Sequence, residues 1–341
     1  MKYVSFTVPC YNSQEYMRKC IDSLLKGGDD VEIIIINDGS KDNTLAIANE
    51  YLEKYPGIVR VVDKENGGHG SGVNAGLARA EGLYFKVVDS DDWVDESALC
   101  KLLETVKAHE KENTLPDLYI NNFVYEHVAD NTRYVSRYNK KFQAETICAW
   151  NKVKRFYFSH MLLMHALVYR TSVLRESGLV LPEHTFYVDD IYSYNPLPYA
   201  KSLYYLDIDF YRYFIGRADQ SVNIVNMLKR YEQQIRVMTE MTDRWTYREI
   251  CAQPKGLKRY MFHALSSYML TTVLFVCGAD SPERRASYRE MWRHIKEKDK
   301  KLYRKLRFRT PVVLSTFLFW KLRGAVHRFG YKILCKRIKL G

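Results

Sequence analysis

Over its first third the chain switches repeatedly between two spacings of apolar residues. Tyr3–Pro9 is short, apolar and β-branched, which predicts a strand. Met17, Ile21, Leu24 and Leu25 then recur at helical spacing, with Asn12 and Glu15 where an N-cap and its capping-box partner would stand. Val31–Ile36 reads as an aliphatic run, the mark of a strand buried on both faces. A second helical pattern follows Asp42, and a third strand is expected over Ile58–Asp63. A Gly-rich turn then leads to a helix near Val73–Ala80, and Tyr84–Asp89 is the fourth strand. This alternation predicts an α/β domain built on a doubly wound, mostly parallel sheet flanked by helices. Ligands of such sheets sit outside the carboxyl ends of the strands. Those ends read Pro9-Cys10-Tyr11-Asn12, Asn37-Asp38-Gly39-Ser40, Asp63-Lys64-Glu65-Asn66 and Asp89-Ser90-Asp91-Asp92, so polar and acidic groups collect there.

Further strand-like runs occur at Leu118–Tyr125, Ala166–Arg170 and Leu203–Phe214. From about residue 220 the chain reads as helical and increasingly basic. The expected division is an α/β domain over 1–220 with halves 1–100 and 101–220, a helical region over 221–295, and a basic amphipathic extension over 296–341. Tyr260–Ala279 has no charged Asp, Glu, Lys or Arg and is long enough to span a bilayer. His263, Ser266, Ser267 and Thr271 nevertheless share one helical face, which favours a packed helix.

Composition sharpens this picture at one end. The net charge is +12. Residues 296–341 hold fifteen Lys and Arg against two Asp and Glu, so nearly all the excess lies there and the body is close to neutral. Leu318, Leu322, Ala325, Val326, Phe329 and Ile333 fall on one face of this extension, beside Lys321, Arg328, Lys332 and Lys339. Such a pattern suits an anionic membrane surface better than nucleic acid, and no nucleic-acid partner is expected. Seven scattered Cys without a CxxC pair suggest a reducing compartment and no zinc module. No signal peptide is evident at the N-terminus. With 47% hydrophobic residues, disorder is excluded.

The acidic turn Asp89-Ser90-Asp91-Asp92 has two readings. Packed carboxylates repel unless a cation joins them, and Mg²⁺ or Mn²⁺ held by one or two carboxylates and substrate phosphates is the usual solution. Alternatively they cap the helix expected at Asp95. Gly70-x-Gly72-x-x-Ala75 matches a dinucleotide fingerprint but follows the third strand, not the first. Its glycines still permit close backbone approach to a phosphate or sugar. Asp38 is either a ligand group or an Asx turn, and Tyr11 offers a flat face beside it. Asp189-Asp190 either starts a helix or, facing the first acidic cluster, supplies a general base. Arg212 and Arg217 are either pyrophosphate clamps or solvated.

Taken together, Val-Pro-Cys-Tyr-Asn, Ile-Ile-Asn-Asp-Gly-Ser-Lys-Asp-Asn-Thr, Glu-Asn-Gly-Gly…Asn-Ala-Gly-Leu and Val-Asp-Ser-Asp-Asp-Trp resemble the family-2 inverting glycosyltransferases of the GT-A fold, of the bacterial cell-surface glycan type. The match is specific over 1–100, looser over 101–220 and absent beyond about 225. The resemblance implies a nucleotide-sugar donor, in first place a UDP-sugar, and a glycan or lipid-linked acceptor. It implies donor contacts from Pro9, Tyr11, Asp38, Gly67, Asn74, Asp89, Ser90 and Arg217. It also implies Mn²⁺ or Mg²⁺ on Asp91 and Asp89, and a base at Asp190 or Asp189. Asp189 departs from the family's usual Glu. Val73 stands where many members carry Arg, with Lys64 or His69 as the candidate replacement cations. The basic amphipathic extension, with no signal peptide and no convincing spanning helix, leads to the expectation of a peripheral location on the cytoplasmic face of the plasma membrane. The rivals are a nucleotidyltransferase acting on a sugar phosphate and a noncatalytic membrane- or nucleic-acid-binding protein.

Overall fold

The computed structural model describes residues 1–127, 131–157, 160–216 and 224–313, and the single positions 318, 322, 325 and 329. The chain divides into two compact units. The first comprises residues 1–154 and 162–216; the second comprises 155–161 and 217–341.

In the first unit, β1 (Val4–Cys10), α1 (Met17–Leu25), β2 (Val31–Asp38), α2 (Thr44–Lys54), β3 (Val59–Lys64), α3 (His69–Arg79) and β4 (Tyr84–Val87) alternate as the sequence pattern predicts. They are followed by β5 (Trp93–Val94), α4 (Glu96–Lys111), β6 (Leu118–His127), β7 (Thr132–Ser136) and β8 (Ile147–Ala149). β9 (Leu167–Arg170), α5 (Thr171–Glu176), α6 (Asp189–Tyr194) and β10 (Ser202–Ile215) complete the unit. The sheet order is β3-β2-β1-β4-β9-β6-β10-β5, with β7 on β6 and β8 on β10. β1 to β4 are mutually parallel, and β10 runs parallel to β6. β9 is antiparallel to both β4 and β6, so it joins two parallel blocks into one mixed sheet. The strand ends of β1, β2, β3 and β4 therefore open on a common edge.

β1 and β2 are buried along their whole length, as strands covered on both faces must be. Glu32 interrupts the aliphatic run of β2. Its buried carboxylate is matched by the Ser5 hydroxyl and by the backbone N–H groups of Glu81 (2.5 Å) and Gly82 (3.0 Å). The expected capping box at Asn12 and Glu15 is not formed. α1 begins at Met17 with no side-chain cap, because Asn12 adopts a left-handed backbone (φ 50°) and its Oδ1 accepts from Lys41 N at 2.9 Å. The predicted start at Asp95 holds: its side chain accepts from Ala98 N at 3.1 Å and caps α4.

The second unit contains α7 (Ile224–Lys229), α8 (Tyr231–Arg244), α9 (Tyr247–Ala252), α10 (Lys255–Cys277), α11 (Pro282–Lys298) and α12 (Lys300–Phe308). The most apolar stretch of α10 has a mean hydropathy of 1.4 and is 72% buried inside the protein. Its Ser266, Ser267 and Thr271 hydroxyls donate to backbone carbonyls one turn earlier, which satisfies the polar stripe internally. The boundary expected at 295–296 falls inside α11. Beyond it, Leu302 and Leu306 of α12 are fully buried, and Arg307 lies over the Trp292 ring at 5.0 Å. The first part of the basic extension is thus packed into its unit.

Candidate active site at the strand ends

The four parallel strand ends carry the predicted residues to one edge. Pro9 is buried, Tyr11 is half exposed at the surface, and Ser13 Oγ lies 2.8 Å from Ser90 Oγ. Pro9 packs against α3, where a Cβ on Gly72 would sit 3.0 Å from its ring. Asp38 is 3% exposed, and its carboxylate accepts from four donors. These are Lys64 Nζ (2.7 Å), Asn66 Nδ2 (3.2 Å), Gly67 N (2.9 Å) and Gly68 N (2.7 Å). Asp38 thereby shapes the loop after β3 that leads into α3. Lys64, one of the two candidate replacement cations, is held on Asp38.

That loop is stitched to the segment before α6. Asn74 holds Leu181 at both ends of its amide, donating to the carbonyl (2.8 Å) and accepting from the N–H (2.9 Å). Ser71 Oγ donates to Glu183 Oε1 at 3.0 Å, and His184 N donates to Gly67 O at 2.6 Å. Gly68 has φ 82°, and a Cβ there would lie 3.2 Å from His184 N, so the close approach of the two loops needs glycine.

This stitching brings Asp189, at the start of α6, within electrostatic reach of Asp89 in the acidic turn roughly 100 residues earlier in the chain, and Asp190 follows it in the same helical turn. His69 stands between Asp89 and Asp189, with Nε2 2.8 Å from Asp89 Oδ1. Burial pushes the His69 imidazole down, but Asp89 and Asp189 outweigh it and hold the group above its ordinary range. Burial raises the Asp89 carboxyl, yet His69 pulls it below the usual value. Asp189 moves the other way: burial and the charge of Asp89 raise it against the pull of His69. Two acids in one site are therefore driven apart in proton affinity, the arrangement that lets one stay ionised while the other exchanges protons.

A second layer lies beneath. Asp92 is buried; its oxygens accept from the Tyr211 hydroxyl (2.5 Å) and Phe214 N (2.8 Å). Burial, with Asp91 and Asp89, raises its carboxyl well above the usual range. Lys86 is fully buried and donates to the carbonyls of Met164 (2.8 Å), His165 (2.7 Å) and Leu167 (3.2 Å). Burial pushes its ammonium down to about 7, against Asp89 and Asp92. Burial also lowers His165 to about 4. The His165 ring stacks on Tyr213 at 4.6 Å, and its Nδ1 is buried without a hydrogen-bond partner. Asp89, Asp92 and His165 present ligand atoms within 4.8 Å of one another.

Lys86, His165 and Tyr211 were not evident as site residues from the sequence. A Lys inside the buried Phe-Lys-Val-Val strand was the one available signal. Arg212 is not a free clamp: its guanidinium pairs with Asp95 (2.8 Å) and Glu126 (3.0 Å). Arg217 lies outside the described residues.

Comparison with known proteins agrees on the fold and the family. Residues 5–172 match the family model described as Glycosyl transferase family 2. The chondroitin synthase of Pasteurella multocida (strain Pm70) is 39% identical over 122 residues, which cover 35% of this chain and 12% of that protein. The poly(ribitol-phosphate) beta-glucosyltransferase of Bacillus spizizenii is 35% identical over 119 residues, covering 34% of this chain and 19% of that one. The chain thus spans a minor part of the length of these curated relatives. Crystalline S. aureus TarS 1–349 in complex with UDP-GlcNAc matches with a TM-score of 0.65 at 18% identity, over 97% of this chain and 92% of that one. The likeness assigns the GT-A fold with its helical C-terminal region.

Proposed function

The chain belongs, through its residues 5–172, to glycosyl transferase family 2, and on that premise we propose that it transfers a sugar from a UDP-sugar to a cell-surface glycan acceptor. The observation that carries the reading is the convergence of Asp89, Asp91, His69 and Asp189 at one sheet edge, with Asp190 next to Asp189 in the chain. The UDP-GlcNAc complex of the TarS structure supports the choice of donor class.

In this reading Tyr11 and the Asp38-ordered loop receive the nucleobase, and Asp89 and Ser90 face the ribose and diphosphate. The donor chemistry fits a divalent cation: Asp89, Asp92 and His165 bring together two carboxylates and an imidazole whose Nδ1 has no hydrogen-bond partner, and Asp91 lies within electrostatic reach of Asp92. Asp91 and Asp89 would hold Mn²⁺ or Mg²⁺, which when bound supplies charge neutralisation of the nucleoside diphosphate. His69 adds a cation beside Asp89 in place of the Arg that Val73 replaces. Asp190 or Asp189 takes the acceptor hydroxyl proton from the opposite side of the sugar. Attack is then in line with departure, a single displacement that inverts the anomeric centre without a covalent sugar–enzyme intermediate.

The test is incubation with UDP-glucose, UDP-galactose and UDP-N-acetylglucosamine in Mn²⁺ or Mg²⁺, following UDP. Wild-type protein should release UDP slowly from at least one donor, and Asp91→Ala should lose most of that release while staying folded by circular dichroism. Chelation of the cation should do the same. Release of pyrophosphate instead would assign a nucleotidyltransferase, and silence with every donor would remove the transferase reading.

A further inference from the structure

We infer that Tyr211 is a positioning residue for the cation site: its hydroxyl holds the acidic turn in the shape that lets Asp89 and Asp91 share an ion. This rests on the transferase reading above. Residues 89–92 form a four-residue turn, closed along its backbone by Asp92 N donating to Asp89 O at 3.0 Å. The Tyr211 hydroxyl closes it a second time. It accepts from Asp89 N at 3.2 Å and donates to Asp92 Oδ2 at 2.5 Å, so one phenol oxygen holds the first residue of the turn and the last. Asp91 is the third residue of that turn and, like Asp89, is half-buried.

The clamp is itself held. At Tyr211 the strand β10 is paired on both sides, with Val94 of β5 and Phe123 of β6 as its partners. The ring is fully buried. Lys86 Nζ lies 4.9 Å from the ring centre while donating to the carbonyls of Met164, His165 and Leu167. The His165 ring meets it edge-on, with centroids 4.8 Å apart and planes inclined by 72°. Phe214 N donates to the other Asp92 oxygen at 2.8 Å, and Asp95 N donates to Phe210 O at 2.9 Å. β10 therefore grips the turn and its exit at Phe210, Tyr211 and Phe214.

A phenylalanine at 211 would fill the same space and pair the same strand. What the oxygen adds is two bonds to a turn 119 and 122 residues earlier in the chain. A buried phenol needs a partner, and here both partners belong to the turn. The turn in turn needs a restraint. Asp89 and Asp91 both act by charge on Asp92, and like charges so placed drive a turn open. A small divalent ion demands closely placed oxygens at about 2.1 Å, and an opened turn must be reassembled when the ion binds. With the clamp in place the repulsion is contained before the ion arrives. Groups one layer behind metal ligands change metal affinity or activity by about 10- to 100-fold when they are lost.

The experiment compares the full chain with its Tyr211→Phe variant, which removes one oxygen and keeps the ring. Mn²⁺ is titrated in the presence of UDP, and bound ion is read by electron paramagnetic resonance against a protein-free blank. UDP affinity is measured separately in EDTA, and the fold is checked by circular dichroism. Tyr211→Phe should bind Mn²⁺ about tenfold more weakly, with UDP affinity in EDTA and the dichroism spectrum as in wild type. If the variant binds Mn²⁺ as wild type does, the positioning role is refuted and the transferase reading stands. An equal loss of UDP affinity in EDTA, or failure of the variant to fold, would assign the hydroxyl to the general structure of the unit and also overturn the role. If wild-type protein binds UDP but no Mn²⁺, the cation assignment and this role fall together while the donor site stands. If it binds neither, the underlying reading falls and the role with it.

Discussion

Two carboxylate clusters lie in the first unit, and they are built on opposite plans. On β10, Asp207 and Asp209 share a buried Asn122, whose Nδ2 donates to both at 2.7 and 3.0 Å. Arg137 reaches the same pair at 3.3 and 2.9 Å, and Tyr205 Oη lies 2.8 Å from Asp207 and 2.7 Å from Asn122 Oδ1. Each acid there has an opposite charge or a donor, and the cluster closes on itself. At the strand ends, Asp89, Asp91, Asp92 and Asp189 raise or oppose one another's ionisation, and a buried imidazole nitrogen beneath them has no partner. Clustered acids thus give a structural knot in one place and an unbalanced, ligand-seeking site in the other. The difference lies in the partners that surround them.

The comparison breaks most sharply at Asp190. Asp190→Asn keeps the shape and removes the proton acceptor. Transfer should fall by roughly two to four orders of magnitude, the usual scale for loss of a general base. UDP affinity, read by calorimetry, should hardly move. A collapse of UDP binding would instead place Asp190 among the groups that build the donor site. Parallel loss in Asp189→Asn would mark the pair as sharing the proton.

Much of this was legible in the chain, and the exceptions have physical causes. β1 to β4 announce themselves because a strand covered on both faces must be apolar throughout, and their polar ends stand out against that background. The acids of the turn and of α6 were readable as candidates for the same reason. What joins them was not. The Asn74–Leu181 and Gly67–His184 contacts span more than a hundred residues, and no local spacing encodes them. Arg212 looked available because its partners Asp95 and Glu126 are 117 and 86 residues away. Asn12 had the right identity for a cap, but a neighbouring loop claimed its side chain. Lys86 and His165 remained hidden since their meeting depends on β9 pairing antiparallel with β4.

A smaller effect sharpens the contrast from the structural side. Asn122→Ala should remove one donor from Asp207 and from Asp209, whose side chains are 29% and 28% exposed and keep Arg137, and one acceptor from the Tyr205 hydroxyl, which keeps Asp207. The expected cost is about 1.5 kcal/mol of stability, the scale for lost hydrogen bonds to partly solvated charged groups. Urea denaturation should show the lowered midpoint. UDP binding measured well below that midpoint should equal wild type, because the knot touches none of the strand-end acids. A drop in UDP affinity without a drop in stability would mean that the two clusters are coupled and that their separation is wrong.

The smallest expected effect concerns the basic extension. Its first part is committed to the second unit: α12 buries Leu302 and Leu306, and Asp299 caps that helix and also accepts from Tyr247 N at 2.7 Å. Removing residues from 296 onward would therefore damage a packed helix as well as the charge. Residues 314–341 carry seven Lys and Arg and no acid. Leu322 and Phe329, on the predicted apolar stripe, are 50% and 68% exposed. Each cation near an anionic bilayer contributes about 1 kcal/mol, and exposed apolar residues add to it. Protein ending at residue 313 should keep its fold by circular dichroism and its UDP affinity. Full-length protein should co-sediment with vesicles containing phosphatidylserine several-fold more than the truncated form, and about 0.5 M salt should erase most of the difference, as roughly a halving of the screening length demands. Equal pelleting of the two forms would separate the extension from the membrane, and with it the proposal that the enzyme works at the cytoplasmic face.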